Sequence, residues 1–131
     1  MTMKALLTVA AVIEAGAGLA LLGLPSVTAS LLLGTPLDSP AAVTLARVGG
    51  AAILTLAVIC WLARRDGHNP ASRGLVGAMA FYNIAVAGVL AFASFGYGLH
   101  GALLWPAIAF HVAMSAWCVT CLPGKDEGVL R

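Results

Sequence analysis

The chain has 131 residues, of which 61% are apolar and only 9% charged, well short of the roughly 25% charged residues of soluble domains. The net charge of +2 includes no basic face for nucleic acid. Three cysteines, an odd number with none in a segment assigned outside the cell, argue against a disulfide scaffold. The composition is that of an all-α integral membrane protein.

Taken in order, the first apolar stretch runs over about 4–24 and stops at Pro25. Lys4, the apolar run and Ala15-Gly16-Ala17 also fit a cleaved signal peptide, but the run continues past that point and reads better as a span. The segment Ser26–Pro36 is too apolar for an ordinary loop. Ser26 as an N-cap and Gly34 as a stop predict a short helix with Val27, Leu31 and Leu32 on one face, lying at the outer interface or over the bundle. It would act as a lid over helix ends, or alternatively as a gate.

The second span covers about 41–63, between Pro40 and Arg64-Arg65-Asp66-Gly67. The third covers about 74–95 and stops at Gly96-Tyr97-Gly98. The fourth covers about 101–122, has Pro106 in its first turn, and ends at Pro123-Gly124. Each has about twenty residues, enough for a hydrocarbon core of about 30 Å, and in lipid such segments are helical. The expected fold is therefore a single domain over residues 1–131, a bundle of four transmembrane helices with a short interfacial helix in its first outer loop. No internal repeat supports an inverted-repeat transporter.

Lys4, Arg64, Arg65, Arg73, Lys125 and Arg131 all fall on one side of that model, and Asp38 and His100 on the other. The positive-inside rule places both termini and the 64–73 loop in the cytoplasm of a plasma-type (bacterial inner) membrane. Trp61 and Trp117 then mark the inner interface and Trp105 the outer one. His68 and His100 sit in loops as solvated side chains.

Each span carries one costly polar group: Glu14, Arg47, Asn83 and His111. A carboxylate at mid-membrane costs about 2.5–3.5 kcal/mol on insertion scales, so it is expected to face protein. At 100° per residue, Glu14 shares its face with Leu7, Ala10, Ala11, Ala17, Gly18 and Leu21. Arg47 shares its face with Thr44, Gly50, Ala51, Leu54 and Val58; Asn83 with Met79, Ala80, Val86 and Ala87; His111 with Leu104, Ala107, Met114, Ser115 and Cys118. Similar depths predict an interior cluster in which Glu14 pairs with Arg47, buttressed by Asn83 and His111, fixing helix packing. The functional alternative is a small proton- or cation-coupled transporter with Glu14 as carrier and His111 as relay.

A second constellation is soft. His111, Met114, Cys118 and Cys121 lie within about 80° on the last helix, with Cys60 near the same depth on the second and Met79 on the third. Thiolate, thioether and imidazole suit copper, and thiolate with imidazole suits zinc. Cysteine and methionine also pack as ordinary apolar residues, so no cofactor is expected. Gly49-Gly50 and Gly74…Gly77 favour close helix contact, and the outward-facing pairs Ala78…Tyr82 and Ala85…Gly88 suit a partner helix. No catalytic triad, paired carboxylates or phosphate loop is present, so an enzyme is not expected. The leading expectation is an accessory or assembly subunit, or a homo-oligomeric bundle, partnered by the bilayer and by other membrane chains.

Overall fold

The computed structural model describes residues 2–66 and 69–122. Its elements are α1 (Met3–Gly23), α2 (Pro25–Leu33), α3 (Pro40–Ala63), α4 (Pro70–Tyr97) and α5 (Leu104–Cys121). The described residues contain no strand. Four of the helices, α1, α3, α4 and α5, are long and apolar enough to cross a membrane. Lys125 and Arg131, which entered the charge reading above, and His68, expected as a solvated loop residue, lie outside the described residues.

The helix starts follow from short polar side chains. Thr2, Ser39 and Asn69 each accept a backbone N–H from the first turn, at 3.3, 3.1 and 2.8 Å. Pro40 and Pro70 follow two of these caps at the first helical position, where a missing N–H costs nothing. The Asn69-Pro70 signal explains why α4 begins before the expected residue 74. α5 begins later than expected because Gly101 belongs to the loop. At the C-termini, Gly34 (φ 80°) and Gly98 (φ 66°) adopt the left-handed conformation that closes α2 and α4. Ser26 is not the cap of α2: Pro25 already occupies its first position, and the Ser26 hydroxyl turns to the Leu37 carbonyl at 3.5 Å.

The chain folds as two helix pairs. α1 packs along α3 and α4 along α5, while α1 also touches α5. In the first pair the backbones nearly meet. A Cβ on Gly50 would lie 2.8 Å from the Gly18 carbonyl oxygen and 2.9 Å from the Leu22 nitrogen; one on Gly18 would lie 2.8 Å from the Leu54 nitrogen. Only hydrogen side chains permit that approach. Gly49, Gly74 and Gly77, by contrast, have open space around them.

At the end carrying α2, the two pairs are tied by backbone. The Leu103 N–H donates to the Leu31 carbonyl at 2.8 Å, and Gly101 sits so tightly on α2 that a Cβ there would be 2.3 Å from the Leu32 carbonyl carbon. α2 buries Pro25 and Ala29 and turns Val27 and Leu31 outward. At the opposite end a single apolar cluster joins all four long helices. Met3, Leu6 and Leu7 of α1 meet Cys60 of α3, Val76 and Met79 of α4, and Met114, Cys118 and Cys121 of α5.

Candidate intramembrane polar site

Three of the four expected polar residues point inward. Glu14 is 3% exposed and Asn83 0%, and His111 is half-buried. The expected faces hold for Asn83 and His111: Met79, Ala80 and Ala87 are buried around the first, Leu104, Met114, Ser115 and Cys118 around the second.

The partner of Glu14 is Tyr82, not Arg47. The Tyr82 hydroxyl donates to Glu14 Oε2 at 3.1 Å, linking α1 to α4. Tyr82 therefore faces inward, and the pairing of Ala78 with Tyr82 on an outward face is corrected; Ala78, Ala85 and Gly88 remain exposed. The signal that identifies Tyr82 is chemical. A buried carboxyl needs a donor, and this phenol lies at mid-depth beside Asn83.

Asn83 organises the second half of the site. Its amide nitrogen donates to the Met79 carbonyl at 2.7 Å, and that carbonyl can only accept. The amide oxygen is thereby aimed at His111 Nδ1, 2.8 Å away. His111 must carry its proton on Nδ1 to donate there, which leaves Nε2 to accept when the ring is neutral. The Tyr82 and His111 rings meet edge to face, centroids 5.9 Å apart, and Phe110 also meets the imidazole edge to face at 5.5 Å. Ser115 adds a further link by donating to the Ala80 carbonyl at 3.3 Å. The result is two bonded pairs, Glu14–Tyr82 and Asn83–His111, in edge contact, with no hydrogen bond between the pairs among the described residues.

Arg47 is elsewhere. It is exposed, and no hydrogen bond or ion pair joins it to another described residue. Helix register gives the reason. Gly50 lies opposite Gly18, Leu21 and Leu22, so in the antiparallel pair Arg47 comes level with Leu24, about ten residues or roughly 15 Å along α1 from Glu14. Rotation compounds the offset. Because α3 packs chiefly on α1, its buried strip is Gly50, Ala57 and Cys60, while Thr44, Ala51 and Val58 beside Arg47 are exposed. The exposed threonines there are satisfied within the helix: Thr44 donates to the Pro40 carbonyl at 2.8 Å and Thr55 to that of Ala51 at 2.9 Å.

The soft candidates Cys60, Cys118 and Cys121 are all buried and free. Among the described residues no three His, Cys, Asp or Glu side chains converge as a metal site. His111 belongs to the polar pair with Asn83, while Met114, Cys118, Cys121 and Cys60 belong to the adjoining apolar cluster. Comparison of the chain with protein-family models, characterised proteins and solved structures finds no match.

Proposed function

We propose that this chain is an integral membrane subunit that performs no chemistry of its own and assembles with another membrane protein through the α3 face around Arg47. The observation that carries this reading is the exposed Arg47, eight residues into a helix apolar enough to cross a membrane. An arginine facing lipid at that level is costly, and such groups are as a rule paired or turned to protein. The polar pairs at Glu14 and His111 act as helix-fixing contacts and leave Arg47 no partner among the described residues. The exposed acids Asp38 and Asp66 flank the two ends of α3 rather than its middle. A two-fold pair of identical chains meeting through this face would set Arg47 against Arg47, which is repulsive. The complementary partner is therefore a different chain with a carboxylate or several acceptors at that depth.

Native mass spectrometry after extraction into lipid nanodiscs tests this. The wild-type chain should travel in an assembly heavier than its own 13.3 kDa. Arg47→Leu should release a folded single chain, and Arg47→Lys should retain the assembly. A wild-type chain that is already alone, with Arg47 reaching lipid headgroups, would remove the basis of the proposal.

The orientation belongs to the same proposal. Lys4, Arg64, Arg65 and Arg73 stand at the end opposite α2, which by the positive-inside rule is cytoplasmic. Aromatic side chains fit both edges. Phe92 and Tyr97 pair at 5.1 Å, and Phe95 and Trp105 at 5.7 Å, near α2; the Arg64 guanidinium covers the Trp61 ring at 3.3 Å at the other end. With its outward Val27 and Leu31, α2 then lies along the outer interface as a lid. Because the three native cysteines are buried, impermeant thiol labelling has little background. Asp38→Cys should label from outside intact cells and Arg65→Cys should not; the reverse pattern refutes the orientation.

A further inference from the structure

We propose that the buried sulfur cluster beneath the polar site binds one monovalent soft cation, Cu(I), through the Cys118 thiolate and the thioethers of Met114 and Met79, with Cys60 facing them. The observation is a concentration of sulfur. Every described cysteine and methionine, namely Met3, Cys60, Met79, Met114, Cys118 and Cys121, belongs to the same buried cluster of twelve residues, though they come from four different helices. Half of that cluster therefore carries sulfur.

The interhelix contacts bring four of the six to one level. Asn83 meets His111, and Ala80 meets Ser115, so Met79 lies beside Met114 and Cys118 across the α4–α5 contact. Met114 and Cys118 are four residues apart on α5, neighbours on one helix face, and both are buried. Tyr82 meets Glu14, and Gly18 meets Gly50 and Leu54, which places Cys60 on α3 about one turn from Glu14 toward the same end. Met79, Met114 and Cys118 likewise stand one to two turns from their polar-site neighbours.

The chemistry selects the ion. Three carboxylate, imidazole or thiol groups do not converge among the described residues, so a site here must draw on thioethers, which favour Cu(I) over zinc. Charge balance points the same way. Cu⁺ plus one thiolate is neutral, whereas a divalent ion or a second thiolate would leave net charge in an apolar core. On binding, the Cys118 S–H bond breaks, its proton goes to solvent, and a Cu–S bond forms with no change of oxidation state. His111 is not among the ligands, because it lies outside the cluster that holds the sulfurs.

The test is anaerobic titration of the detergent-purified full chain with Cu(I) against bathocuproine disulfonate, followed by X-ray absorption on the retained metal. The expected result is one Cu(I) per chain with sulfur as its only neighbours. Cys118→Ser should lose the metal, and Met114→Leu, which conserves apolar volume, should weaken retention about tenfold. No copper retained by the folded wild-type chain, equal retention by Cys118→Ser, or an imidazole neighbour in the absorption spectrum would each overturn the assignment. The wild-type measurement decides the matter even if a variant fails to fold.

Discussion

Gly50→Leu should force α3 away from α1 and lower the unfolding free energy by about 3 kcal/mol or more, at or beyond the top of the usual overpacking range. The atoms in the way are backbone and a side-chain root: the Gly18 carbonyl oxygen at 2.8 Å, Leu21 Cβ at 2.9 Å and the Leu22 nitrogen at 2.9 Å. None of them can swing aside as the tip of a flexible side chain can. Gly18→Leu should behave alike, because it would strike the same seam from the other helix. Gly49→Ala, one residue along with nothing within 4 Å, is the control and should be neutral or slightly stabilising. Unfolding in increasing SDS, followed by circular dichroism, provides the measurement. Equal midpoints for Gly50→Leu and Gly49→Ala would mean that the two helices do not meet through these glycines.

Asn83→Ala should cost about 2–3 kcal/mol, the sum of a small cavity and a buried donor left without an acceptor. Asn83 is wholly buried and satisfies two groups at once, the Met79 carbonyl and His111 Nδ1. Its loss frees the imidazole to change tautomer or rotate. Tyr82→Phe removes one hydroxyl and one bond to Glu14, and should cost about 1 kcal/mol, within the range measured for polar contacts between membrane helices. The ordering is the informative part. If Tyr82→Phe proves the more damaging, the Glu14 carboxyl rather than the asparagine is the point on which the packing depends. Exchange of the His111 ring protons, followed by nuclear magnetic resonance, should show a fixed Nδ1–H in the wild type and a mixed population in Asn83→Ala.

Much of the architecture was legible in the residue pattern. Long apolar runs bounded by Pro25, Pro40 and Arg64-Arg65 located the helices, because hydrocarbon demands length and internal hydrogen bonding. The faces of Asn83 and His111 followed from helical periodicity, and Gly34 marked the end of α2. The site was only half legible. Charge and distance from the span edges point to a Glu14–Arg47 pair. Counting from span edges ignores register, however, and register is set here by the Gly18–Gly50 contact, which carries no charge at all. Tyr82 is not marked by the pattern around it, because Ala78 and Ala85 face outward and one step of 100° separates an outward phenol from an inward one. The docking of Gly101 onto α2 involves backbone alone, so no side-chain pattern announces it.

The two helix pairs differ in when their contacts become available during synthesis. α1 and α3 are complete by Ala63, so the glycine seam can close before any residue of α4 exists. Glu14 must wait for Tyr82, sixty-eight residues later, and the Asn83–His111 bond waits for α5. Until then the Glu14 carboxyl lacks the hydroxyl that donates to it in the folded chain. Arrival of α4 supplies the Tyr82 donor, so a contact between the two pairs, not one within the first, completes the polar site.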